Sequence, residues 1–184
     1  MSEKPSYLGL LNAISNAESD AECYLDAWAK ATPRDDVRQI IATVALREGE
    51  HGKAFAKRIC ELGFTLQPRV DEAVKEKMAI ASSTTLTDRE KFEKLDIARP
   101  VDPSKPDFFS TMFNDTNIDI QTGQLLGRYI AEERDSGRML RGCYDQLCTE
   151  ENGGSSASAT EERLARVECL LEELVAKLST SKSK

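Results

Sequence analysis

Histidine occurs once in this chain, aromatic residues make up 6% of it, and its five cysteines include no CxxC pair. Each scarcity removes a class of answers. Sandwiches and barrels draw heavily on aromatic and β-branched residues, so 6% aromatics beside 31% charged residues favours packed helices. Cys23, Cys60, Cys143, Cys148 and Cys169 form an odd set and read as the reduced thiols of a cytoplasmic protein. No apolar run approaches the roughly 20 residues that cross a bilayer, so no membrane span is expected. Residues 1–5 lack the apolar stretch of a secretory signal. Lysines and arginines are interspersed with acids under a net charge of -7, which leaves no basic patch for nucleic acid. Glycine-rich phosphate loops, Ser–His–Asp arrangements and nucleotide fingerprints are missing as well.

What is present is helical period. Leu11, Ile14, Glu18, Ala21, Leu25 and Trp28 recur at spacings of three and four, which predicts a helix over 7–31. Trp28 reads as a core anchor near its end. Thr32-Pro33 stops that helix, and Pro33 is expected in the first turn of the next. Val37, Ile41, Val44, Glu48, His51, Phe55, Ile59 and Leu62 form a second stripe, closed by Gly63. Two long helices joined so briefly should form an antiparallel hairpin. A third stripe, Leu126, Tyr129, Glu133, Ser136, Leu140, Cys143 and Leu147, predicts a helix over 119–148. Between these, 70–81 reads as a helix, and Thr87-x-x-Glu90 reads as a capping box opening a short helix towards Ile97. Pro100, Pro103 and Pro106 then break the chain before one or two turns over 107–113. Three organisational segments follow: a helical domain over 1–150, a flexible Gly/Ser-rich linker over 151–160, and a short coiled-coil or docking helix over 161–184. So short a helix is marginal alone. It is expected to pack on a copy of itself, on the bundle, or on another protein.

Two stripes carry ionisable groups where apolar ones belong. Glu18 lies between Ile14 and Ala21, and Glu48 and His51 lie between Val44 and Phe55. A carboxylate on a buried face costs several kcal/mol unless a salt bridge, a shifted pKa or a cation compensates it. Glu48-x-x-His51 places a carboxylate and an imidazole one turn apart, and an antiparallel neighbour can bring Glu18 opposite. Surface alternatives stand beside this: Glu48 could pair with Arg47 or Lys53, and Glu22 could replace Glu18 as the inward acid.

The segment Ala17-Glu18-Ser19-Asp20-Ala21-Glu22-Cys23-Tyr24 resembles the first-helix motif of the rubrerythrin-type branch of the ferritin-like superfamily. Ile41-Ala42 with Glu48-Gly49-Glu50-His51 and Phe55 resembles its second-helix motif. That resemblance covers about the first third of the chain. It implies an all-α, ferritin-like antiparallel four-helix bundle, here with an irregular fourth helix, and a di-iron carboxylate site. It makes Glu18, Glu48 and His51 metal ligands. Arg47–Phe55 aligned on Glu132–Leu140 sets Glu133 on Glu48 and Gly137 on Gly52, but Ser136 on His51. The second half-site therefore keeps a carboxylate and lacks an imidazole. Asp135 and Glu132 flank it off the stripe, and the third-helix glutamate could be Glu72, Glu76, Glu90 or Glu93.

Glu18, Glu48, His51 and Glu133 thus form the expected set, holding one or two iron ions, with manganese or zinc also compatible. The implied activity is that of an iron-dependent oxidase or peroxidase fed by an external electron donor, in a homo-oligomer built through the bundle or the terminal helix. A non-enzymatic scaffold that has lost its metal is the rival reading. Tyr129, one turn before Glu133, reads as a core tyrosine that could also donate a hydrogen bond to a ligand.

Overall fold

The computed structural model describes residues 4–69, 72–98, 108–151 and 167. Among these every regular element is helical: α1 (Leu8–Ala31), α2 (Asp35–Glu61), α3 (Glu72–Ala81), α4 (Asp88–Leu95), a 3₁₀ helix (Phe108–Phe113) and α5 (Ile120–Glu151). None is long and apolar enough to cross a membrane. The chain divides into two compact units, Met1–Tyr144 and Asp145–Lys184. Of the second, only residues 145–151 and 167 are described, all helical. The predicted linker and terminal helix lie outside the described residues, apart from Glu151 and Val167.

In the first unit α1 and α2 pack most intimately. Leu11, Ile14, Leu25 and Trp28 of α1 and Val37, Ile41, Val44, Phe55 and Ile59 of α2 are buried, as the stripes require. Thr32 leaves the helix in extended backbone ahead of Pro33, because proline disfavours helical geometry in the residue before it. Pro33 does not enter the first turn of α2. Arg34 occupies the N-cap, and Asp35 and Asp36 supply the negative charge that a helix start favours. At the other end Gly63 takes φ +85°, so that Gly63 N–H donates to Cys60 O and Phe64 N–H to Ile59 O. This pair of bonds satisfies the last carbonyls of α2, and the left-handed residue making them is glycine for steric reasons.

Close approach of α1 to α2 depends on a second glycine. A Cβ at Gly52 would stand 2.7 Å from Ser19 Oγ and 3.2 Å from Ser19 N, on the backbone of α1. The Ser15 hydroxyl uses that proximity and donates to Gly52 O at 2.9 Å.

α5 is fastened to both helices at its start. Asp119 is its N-cap, accepting from Thr122 N at 3.0 Å and from Thr122 Oγ1 at 2.6 Å. The same carboxylate accepts from Tyr7 Oη at 2.7 Å and from Arg58 at 2.9 Å. These donors hold Asp119 well below the usual carboxylate range, against the opposing effect of its partial burial. Asp119→Ala should therefore lower stability by about 2 kcal/mol, combining a lost cap with the loss of a charged acceptor for a buried arginine. Denaturant melts at pH 7 measure this. The difference should shrink as pH falls below about 4, since a depressed carboxylate pKa stabilises only where the unfolded acid is ionised.

No fourth long helix stands among the described residues. The two short helices α3 and α4 lie in its sequence position, and one buried knot anchors them. α4 opens on the predicted capping box, Thr87 and Glu90 bonding reciprocally. Asp88 accepts from Trp28 Nε1 and from Thr32 Oγ1, both at 2.6 Å. Lys91, fully buried, donates to Ala81 O, the last carbonyl of α3, at 3.0 Å and lies 5.8 Å from the centre of the Trp28 ring. Trp28 also meets Phe92 edge to face. Through this knot the end of α3 and the start of α4 are held against α1.

Candidate metal centre

Glu18, Glu48, His51 and Glu133 converge within the first unit. One ligand atom from each lies within 4.8 Å of every other. Glu18 is 7% exposed, Glu48 6% and His51 4%, so these are interior groups and not a solvated acidic face. α1 supplies the first, α2 the next two and α5 the last. Apolar side chains bracket the group lengthwise, Ile14 and Phe55 towards one end and Leu25 and Val44 towards the other.

The surface alternatives are occupied elsewhere. Arg47 pairs with Asp135 at 2.8 Å, and Lys53 pairs with Glu22 at 3.1 Å, which leaves Glu48 facing inward and Glu22 at the surface. None of the four candidate third-helix glutamates joins the cluster. Glu72 pairs with Lys75, Glu90 caps α4, Glu93 meets Arg89, and Glu76 is exposed. Ser136 is buried, and the Arg47 guanidinium reaches its hydroxyl at 3.3 Å. A cationic guanidinium therefore borders the position where an imidazole would complete the second half-site.

Two further contacts come from α5. Glu132, expected off the stripe, reaches the cluster's edge: its Oε2 lies 2.7 Å from His51 Nε2. The His51 ring projects far enough from α2 to meet both neighbouring acids of α5. Tyr129 is more than packing, since its hydroxyl donates to Glu18 Oε1 at 2.7 Å. Its ring also meets His51 and Phe55 edge to face. Its spacing one turn before Glu133 carried that signal.

Electrostatics follow from crowding acids in a dry place. Burial first, then Glu48 and Glu133, push Glu18 up to about 10. Burial would pull His51 down, but Glu133, Glu48 and Glu132 outweigh it and raise the imidazole to about 10. Glu48 is held low despite its burial, chiefly by His51 and Glu18. Glu133 is raised, burial outweighing the pull of His51. Without a cation, then, protons supply the compensating positive charge.

That compensation is incomplete in geometry. His51 Nδ1 and Glu133 Oε1 are both buried and neither has a hydrogen-bond partner. They stand 3.2 Å apart yet are not aligned to bond each other. Two ligands sharing one cation through bonds of about 2.1 Å stand roughly 3.0–3.4 Å apart, so the spacing suits joint ligation. Glu132 lies against Nε2, so that once the imidazolium gives up its other proton the Nδ1 lone pair would be free for a cation, as an outer carboxylate arranges for a ligating histidine. Three carboxylates and one imidazole are a hard, mixed oxygen and nitrogen donor set, suited to iron, manganese or zinc.

No protein-family model matches the chain, and no curated protein or solved structure matches it.

Proposed function

We propose that this chain is a ferritin-like, rubrerythrin-type metal-binding protein that holds one divalent cation between Glu18, Glu48, His51 and Glu133. The observation that carries the reading is the orphaned pair, His51 Nδ1 and Glu133 Oε1, buried and facing one another across 3.2 Å. Buried polar atoms are almost always bonded, and two unbonded ones inside a ring of acids are explained by an ion that both would ligate. One ion is favoured over two because Ser136 replaces the second imidazole and no glutamate of α3 or α4 reaches the cluster.

Iron bound here would supply one-electron chemistry towards oxygen or peroxide. The protein's own part is to position and to hold protons. Tyr129 fixes one oxygen of Glu18, and Glu132 fixes the His51 ring. Electrons would come from an external donor, since the sequence holds no CxxC pair for a second centre. The rival, a helical scaffold without metal chemistry, makes a different forecast. Protein purified without a histidine tag should contain close to one equivalent of metal by elemental analysis. His51→Ala should reduce that at least about tenfold, because an essential ligand and its orienting bond are both lost. Metal-free wild type, with re-added Fe(II), Mn(II) and Zn(II) all failing to bind, would leave the scaffold reading standing.

A further inference from the structure

A cavity of about 390 Å³ opens against the carboxylate side of the cluster, with Glu18, Glu48 and Glu133 on its lining. Its size falls within the range of small-molecule sites, which are apolar with a few placed polar groups. Leu25, Val44 and Leu140 form apolar wall here, and Val74 of α3 and Ile97 beyond α4 add to it. α3 and the segment that follows α4 thus wall one side of the chamber.

Two small residues of α5 keep that chamber open. Ser136 and Gly137 both line it. Ser136 occupies the place of the second imidazole, and a Cβ built on Gly137 meets nothing within 4 Å. The missing histidine is therefore matched by space beside the remaining ligands.

The one basic group among the described lining residues is an exposed side chain. Lys77 is the cation on the lining, and its ammonium sits 5.5 Å from the centre of the Tyr24 ring. Among the described residues no carboxylate forms an ion pair with Lys77. The acids of the cluster, on the same lining, disfavour a second anionic group.

We propose, resting on the metal-binding reading above, that this cavity binds a small organic monocarboxylate. Its carboxylate lies at Lys77, and its apolar body runs along Leu25, Val44 and Leu140 towards the metal cluster.

The probe is octanoate, titrated calorimetrically into the full Zn(II)-loaded chain, with zinc content checked by elemental analysis before each run. Wild type should bind saturably, one octanoate per chain. Gly137→Leu should weaken binding at least about tenfold with zinc content unchanged, because leucine fills the chamber while removing a glycine from a helix interior. Lys77→Ala should weaken octanoate by about tenfold and leave 1-octanol unaffected. Failure of wild type to saturate at millimolar octanoate, or unaltered affinity in Gly137→Leu, overturns the proposal. So does binding that vanishes with zinc yet ignores Lys77→Ala, which would put the carboxylate on the metal. Loss of zinc binding by wild type itself is read separately and counts against the metal centre, not the cavity.

Discussion

Zinc or manganese affinity should climb by close to a hundredfold for each pH unit between about pH 6 and 9, corresponding to two protons leaving per ion bound. In the metal-free protein Glu18 and His51 are both raised to about 10, so each carries its proton at neutral pH. A cation can use Glu18 and His51 Nδ1 only after displacing those protons. Calorimetry at pH 7 in two buffers of different ionisation enthalpy counts them directly. A count near zero would mean that the ion binds without these two groups. Stability of the metal-free protein should run the opposite way. Glu18 binds its proton more tightly when folded than its ordinary value of 4.5 allows, and His51 more tightly than 6.5 allows. Both contributions favour the folded state at low pH and are lost as pH rises, Glu18 from about 4.5 and His51 from about 6.5 up to about 10. The melting temperature of metal-free protein should fall across that span, whereas the zinc-loaded protein should show a flatter profile.

The second large effect is expected from a residue with no ligating atom. Gly52→Leu should cut metal content below about a tenth of wild type while leaving most of the helical circular dichroism intact. The new side chain would press on the backbone of α1 at Ser19, beside Glu18, where even a Cβ stands 3.2 Å from the amide nitrogen. Separating α1 from α2 draws Glu18 off Glu48 and breaks the Ser15–Gly52 bond. Overpacking of this kind costs about 1–3 kcal/mol, partly offset by removal of a helix-interior glycine. Gly52→Ala with Ser19→Gly, which removes the nearest obstructing atom, should recover most of the metal. Full metal content in Gly52→Leu would show that the α1–α2 spacing does not control the site.

The long helices and the four converging residues were legible because both express one periodicity. A stripe of apolar side chains marks the buried face, and an acid or imidazole on that stripe must point the same way. Glu132 was not legible by that rule. It sits about 100° round α5 from Glu133, and only the reach of the His51 ring makes it a neighbour. Pro33 stands just ahead of the N-cap of α2 and not within its first turn, because proline fits both positions and local steric preference does not choose between them. The cavity was invisible for a different reason. It is made by small residues and by the path of α3 and of the segment after α4, and a space leaves no period in a sequence. The Asp88–Trp28–Lys91 knot that fixes this path joins residues about 60 positions apart, beyond what spacing within one helix can reveal.

Trp28 gives that knot an optical signature. It is the chain's sole indole, it is fully buried, and its N–H bonds to a carboxylate of α4. Emission excited at the tryptophan band therefore watches a single docking event, the seating of α4 on α1. Loosening of α4 would announce itself in colour while the three long helices still stood.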